Sequence, residues 1–169
     1  LHFGGKPLGQ AKLAREAGLA NNTVAAGYLD LLADLLCVSV SQAWDASRRV
    51  RVARQPAKFH LVNLLCAVAF HPARLRRESD LEALAPDALG ALWEWLGAQE
   101  LHRRAAIAGV EAPDEMAHWQ AREHELDFVL GPDRFLEVKR GRTSPLEFAW
   151  FRKVFPKGRL TVVGRDRFE

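Results

Sequence analysis

The sequence predicts an α/β chain in two parts, a helix-led segment over residues 1–73 and helices with a mixed sheet over residues 74–169. Three observations lead there. A helix, a glycine turn and a second helix open the chain. A hairpin of alternating polar and apolar residues lies near residue 130. Around that hairpin the order reads helix, three strands, helix, strand.

Pro7 to Ala17 reads as a short helix with Leu8, Ala11 and Leu13-Ala14 on its apolar side and Gly18 as its stop. Asn21-Asn22 can cap a second helix over Thr23–Leu36, in which Val24, Tyr28, Leu31-Leu32 and Leu35 keep the helical period. Cys37 to Val40 alternates like a strand. Arg51–Arg54 and Lys58–Val62 are expected to complete a small sheet or wing. This first part resembles a winged helix lacking its first helix. A recognition helix presents basic or amide groups to DNA. The second helix carries Asp30 and Asp34 and no Lys or Arg, so reading of a base sequence by it is not expected; Arg48, Arg49, Arg51 and Arg54 in the wing are the only positive feature that could support a nucleic-acid role.

Asn63–Phe70 is apolar nearly all round and reads as a short buried helix, ended by His71-Pro72. The charged stretch Arg74–Ser79 is the expected domain boundary. From Pro86, a residue suited to a first helical turn, a long helix is expected to about Arg104. Leu89, Leu92-Trp93 and Leu96 mark its main buried stripe; Gly90, Glu94, Gly97 and Leu101 form a second. Two glycines around Glu94 allow close approach to a neighbouring element, which would hold that carboxylate in place; the other reading is a helix-forming Glu on an exposed side. Met116–Trp119 is a strand, Pro145–Val154 a helix and Arg159–Gly164 a closing strand apolar enough to be central.

The hairpin is Glu125–Leu130, a Gly131-Pro132-Asp133 break, and Arg134–Lys139. A three-residue loop pairs Leu130 with Arg134 and brings Asp127 opposite Glu137, with Lys139 on the face of Glu137. Two carboxylates and an ammonium together suit Mg²⁺ or Mn²⁺ and an activated water: hard oxygens hold the ion and the lysine serves the water or the transition state. As a bare pattern, Asp and Glu-x-Lys also arises on any exposed strand face.

Composition sets the outer bounds. With 169 residues, 49% hydrophobic and 27% charged, the chain can bury a core. No apolar run approaches a membrane span. Cys37 and Cys66 lie in apolar runs and read as buried reduced thiols of a cytoplasmic protein. Leu1 in place of methionine reads as a piece of a longer or processed chain. Between Lys139 and Arg167 there are nine basic residues against Glu147 and Asp166, a charge of +7 that leaves −4 elsewhere. Such a block suits a phosphate-rich partner, with Arg140, Arg142, Arg152 and Lys153 as candidate nucleic-acid contacts; a solvated arginine-rich surface is the equal alternative. His60, His71, His102, His118 and His124 show no metal-ligand spacing.

The helix-borne Glu94, Asp127 and Glu137-x-Lys139, in this order of elements, resemble the PD-(D/E)XK, restriction-endonuclease-like nuclease superfamily over residues 74–169. The whole chain resembles the C-terminal region that follows the ATPase module in a group of uncharacterised prokaryotic AAA+-type ATPase-like proteins. The residues carrying that resemblance are Leu13–Leu19, Thr23–Leu36, Lys58–Asn63, Leu89–Glu94, Gln99–Leu101, Trp119, Glu125–Val129 and Leu136–Lys139. The group usually has Asp where Asn63 stands. No Walker A loop is present, so ATP hydrolysis would belong to an upstream module. The resemblance implies DNA as substrate, Asp127 and Glu137 as metal ligands with the Val138 carbonyl beside them, Lys139 as the catalytic ammonium and Glu94 as an auxiliary carboxylate. It equally admits a non-catalytic binding or interaction module, because many relatives of that fold do not cleave.

Overall fold

A computed structural model describes residues 6–53, 55–110 and 116–164. Arg54, Arg165, Asp166 and Arg167 of the sequence analysis lie outside the described residues. The elements, in chain order, are α1 (Gln10–Glu16), α2 (Asn22–Asp34), β1 (Val38–Asp45), β2 (Val50–Val52), β3 (Lys58–Leu61), α3 (Leu64–Ala69), α4 (Glu78–Glu82), α5 (Pro86–Ile107), β4 (Ala117–Gln120), β5 (Glu125–Gly131), β6 (Arg134–Val138), α6 (Phe151–Val154) and β7 (Arg159–Val163). Among them is one seven-stranded mixed sheet in the order β2-β1-β4-β5-β6-β7, with β3 also paired to β1. The α/β class expected from the sequence is thus observed.

The sheet runs through both halves of the chain. β1 is antiparallel to β2 and β3 but parallel to β4 through Gln42↔Ala117 and Ala43↔His118. The strands expected to close a small sheet of their own are therefore an extension of the larger one. The boundary drawn at residues 73/74 passes between α3 and α4, but strands from either side of it are hydrogen-bonded to each other.

Local chemistry sets the helix ends. Asn21 accepts a hydrogen bond from the Val24 N–H at 3.0 Å and starts α2; Asn63 accepts from the Leu65 N–H at 3.0 Å and starts α3. Gly18 takes the left-handed conformation, φ +66°, that ends α1 without a Cβ penalty. The apolar period of α2 faces outward: only Ala25 is buried, and Tyr28, Leu31 and Leu35 are exposed. α3 also departs from expectation. Only Ala67 is buried, against Leu89, Leu92 and Trp95 of α5, while Leu65 and Phe70 lie open, with no element over the far side of this one-and-a-half-turn helix among the described residues. Cys37 and Cys66, expected to be buried, are exposed free thiols, one just after α2 and one on α3.

α5 lies across the sheet. Its buried residues are Leu89, Ala91, Leu92, Glu94, Trp95 and Ala98, so Trp93 and Leu96 of the expected main stripe face outward in part. The two glycines do different things. A Cβ on Gly97 would sit 2.9 Å from Val138 Cγ2 and 3.4 Å from Phe128, so this glycine brings α5 against β5 and β6; Gly90 has open space and lines a cavity. On the opposite side Leu126, Val129, Phe135, Phe151 and Phe155 form a second core with Trp119.

Two further expectations are corrected. Pro145–Val154 is a 3-10 turn over Pro145–Phe148 followed by the short α6, with Ser144 and Glu147 in a reciprocal capping box. β7 is the last strand of the sheet order, parallel to β6 on one side only, not a central strand. Its apolar residues are explained by the faces they turn to the core, where Val162 is fully buried, with no strand on its outer edge among the described residues.

Candidate active site

The hairpin turns differently from expectation yet keeps the expected register. Gly131 pairs with Arg134, giving a two-residue turn at Pro132-Asp133, and an irregularity between Val129 and Gly131 absorbs the extra residue. Phe128↔Leu136 and Val129↔Phe135 follow. Asp127 and Glu137 are the next residues along the two strands. They are joined through each other's backbone: the Asp127 N–H donates to Glu137 Oε2 at 3.1 Å, and the Val138 N–H donates to Asp127 Oδ2 at 2.9 Å. Each carboxylate is thereby fixed without using up its second oxygen on the main chain.

Asp127, Glu137, Lys139 and Glu94, the four site residues expected from the sequence, line one cavity of about 750 Å³. Lys139 Nζ lies 2.7 Å from Glu137 Oε1 and is two-fifths exposed at the mouth. Arg140 lines the same cavity, but the other expected phosphate contacts do not. Arg152 lines a separate groove of about 1390 Å³ between α5 and β6–β7, and Arg142 and Lys153 are exposed elsewhere. The basic block of the sequence is thus divided over the surface.

Sequence reasoning missed the centre of the site. Lys58 of β3 is fully buried and reaches Glu94 Oε1 at 3.1 Å and Asp127 Oδ1 at 3.3 Å. It comes from a strand read as part of a wing. The register Ser41↔Lys58 and Ser39↔His60 explains its position: the polar residues of β1 and β3 share one face, and that face is buried. His60 Nδ1 lies 3.7 Å from Glu94 Oε1, and neither of its ring nitrogens has a hydrogen-bond partner. His118 of β4 lines the cavity and its Nδ1 lies 3.0 Å from the Ser41 carbonyl oxygen; a donor there is the Nδ1–H tautomer. A sequence signal existed in Lys58-x-His60, two polar residues on one strand face, but alternation does not say which face is inward.

Glu94, Asp127 and Glu137 face the ammoniums of Lys58 and Lys139, and Glu125 and Arg140 line the same cavity. Burial and the neighbouring Asp127 push the Glu94 carboxyl up to about 8 against the pull of Lys58. The same two causes push Glu137 up to about 7 against Lys139. Burial opposes the charged form of Lys58, but Glu94 and Asp127 hold its pKa above the ordinary lysine value. Burial, helped by Lys58, drops His60 to about 3 and His118 to about 4.

These shifts predict a stability plateau. The histidines titrate lower in the folded chain than their ordinary 6.5, so the stability they contribute is present above 6.5 and lost as pH falls through about 4 and about 3. The glutamates titrate above their ordinary 4.5, so their contribution is present below 4.5 and lost as pH rises through about 7 and about 8. Each group acts with a slope of at most ~1.4 kcal/mol per pH unit. The opposing slopes cancel between about 4.5 and 6.5. Urea midpoints measured across pH 3–9 are expected to be flat in that window and to fall on both sides of it; a maximum near pH 8 would contradict these assignments.

No family model, curated protein or solved structure significantly matches the chain. Among the described residues no helix is long and apolar enough to cross a membrane.

Proposed function

We propose that this chain carries a metal-dependent, PD-(D/E)XK nuclease-like site acting on DNA, within the C-terminal region of a prokaryotic AAA+-type ATPase-like protein. In this reading the α1–α2 and β1–β3 part derives from a winged helix and the remainder from a restriction-endonuclease-like domain, and the protein is cytoplasmic. The observation that carries the reading is the meeting of Asp127, Glu137 and Lys139 on one cavity wall, with the two carboxylates fixed through each other's strand.

The donor set fits a hard divalent cation. Among the described residues no group of three or more His, Cys, Asp or Glu is disposed to hold a metal ion. Two adjacent carboxylates on an open cavity are nevertheless what Mg²⁺ commonly takes from a protein, with water and phosphate oxygens filling the rest of its shell. After burial, repulsion from Asp127 is the next cause that raises Glu94 and Glu137, and a cation bound at Asp127 would relieve it. Asp127 and Glu137 would hold Mg²⁺ or Mn²⁺, which when bound supplies charge stabilisation at phosphate and lowers the pKa of water.

The chain's own residues do the rest. Asp127 and Glu137 are held rigidly, so no side-chain ordering is left for the reaction step. Lys139, tied to Glu137 at the cavity mouth, donates a hydrogen bond to the attacking water or to charge developing on the phosphate. Arg140, exposed on the same cavity, offsets backbone phosphate charge. A new P–O bond forms from water as one of its O–H bonds gives a proton to solvent, the P–O bond to the leaving sugar oxygen breaks, and that oxygen takes up a proton from solvent.

One observation favours a second reading. Lys58 and Lys139 are both paired with the carboxylates, so the set is largely self-neutralised, as in a non-catalytic module that binds nucleic acid or contacts the ATPase region. The two readings separate in a cleavage assay on plasmid and single-stranded DNA with Mg²⁺ or Mn²⁺. The expected result is metal-dependent cleavage that is lost in Asp127→Asn. No cleavage by the parent chain, or cleavage unchanged in the variant, rejects the nuclease reading. Salt-sensitive DNA binding that depends on Arg140 without cleavage identifies the binding module.

A further inference from the structure

We propose that Lys58 is a built-in cation of the site, standing where a second metal ion would stand, so that the site takes one divalent ion and not two. The inference rests on the metal-dependent reading above and concerns the role of Lys58 and Glu94 within it.

Two-metal phosphodiester sites place their ions about 3.5–4 Å apart, with carboxylates shared or facing one another across the pair. Here the second carboxylate position is Glu94, on the helix that packs over the sheet. Its Oε1 is 3.1 Å from Lys58 Nζ, and the same nitrogen is 3.3 Å from Asp127 Oδ1. A positive charge therefore already bridges the two groups between which a second ion would be bound. It is not a mobile one. The Lys58 side chain is 1% exposed, its strand is hydrogen-bonded to β1 through Val38↔Leu61 to Ser41↔Lys58, and α5 closes over it. An ammonium stripped of water and held by two carboxylates has no comparable place to go.

The two oxygens of Asp127 then have divided duties. Oδ1 faces Lys58, whereas Oδ2 accepts from the Val138 N–H on the side of Glu137. Glu137 has its own ammonium, Lys139. The site thus separates into an inner half, Glu94 with Lys58, and an outer half, Glu137 with Lys139, joined at Asp127. Glu94 is a positioning residue for Lys58 and not a metal ligand, which differs from the auxiliary role that the sequence resemblance implies.

Mn²⁺ titration of the full chain, followed by electron paramagnetic resonance and by calorimetry, counts the ions directly and does not depend on cleavage. One ion is expected in the parent chain and one in Glu94→Gln. Lys58→Met removes the charge and is expected to admit a second ion between Asp127 and Glu94. Two ions in the parent chain, falling to one in Glu94→Gln, overturn the proposal and leave the metal-dependent reading standing. No ion in the parent chain overturns both. A folded Lys58→Met chain, judged by circular dichroism, that still takes a single ion also overturns it. Should Lys58→Met not fold, the comparison of the parent chain with Glu94→Gln decides the matter alone.

Discussion

A fragment beginning at residue 74 is expected not to fold. It would retain β4 to β7 and α5 but lose the three strands that extend the sheet beyond β4. The loss removes Leu61, Leu64, Ala67 and Val68, which pack on Leu89, Leu92 and Trp95 of α5. Ala67 is fully buried and the other three are half-buried, so each contributes less than the about 1.5–3 kcal/mol of a fully buried Val or Leu. It also removes Lys58, leaving Glu94 and Asp127 buried with no cation between them. Breaking a buried pair in this way costs about 3–5 kcal/mol. Together these come to several kcal/mol, comparable with the ~5–15 kcal/mol by which a domain is normally stable. Circular dichroism melts and limited proteolysis of residues 74–169 should show no cooperative transition and rapid digestion. A cooperative melt with protected α5 would mean that the second half carries its own sufficient core.

The reason this interdependence is hard to read in the sequence is physical. Composition changes at Arg74–Ser79, and such charged stretches commonly mark linkers. Strand pairing, however, is a long-range property: nothing in Gln42-Ala43 announces that it will lie parallel to Ala117-His118. Local signals did better. The Asn21 cap, the Gly18 stop, the start of α5 at Pro86 and the hairpin register all depend on neighbours within a few residues, and each is observed. The errors in α3 and β7 share one cause. An apolar segment shows that some burial is favoured, but only the fold decides whether both faces find partners, and for Leu65, Phe70 and Val163 they do not.

The candidate site divides along the same line. Asp127, Glu137 and Lys139 sit on one hairpin, where period and turn length determine who faces whom. Glu94 was reachable because glycines in a long helix signal close approach, although Gly97 makes that approach and Gly90 opens the cavity. Lys58, His60 and His118 were not reachable. Their strands alternate as expected, but polar residues on an alternating strand normally face water, and here the side they share is sealed by α5. A polar face turned inward is costly unless its groups find partners. Lys58 finds two carboxylates; His60 stays neutral beside them.

The two lysines of the site should respond to substitution in opposite ways. Lys139→Met alters a side chain that is two-fifths exposed, although its partner Glu137 is buried and loses its cation, so folding stability is expected to fall by less than in Lys58→Met, whose ammonium is itself buried between two carboxylates. In the nuclease reading proposed above, its effect belongs to turnover. Removing one donor aimed at developing charge costs about 10²–10³ in rate, and metal-dependent DNA cleavage should fall by that factor with the ion count unchanged. Lys58→Met removes the cation that lies between Glu94 and Asp127, and about 3–5 kcal/mol of stability is expected to go with it. Paired urea melts and cleavage rates for both variants test the contrast. Equal destabilisation by the two would mean that Lys139 is part of the scaffold. Full activity in Lys139→Met would remove the ammonium from the reaction and, with it, the argument that this hairpin face is built for chemistry on phosphate.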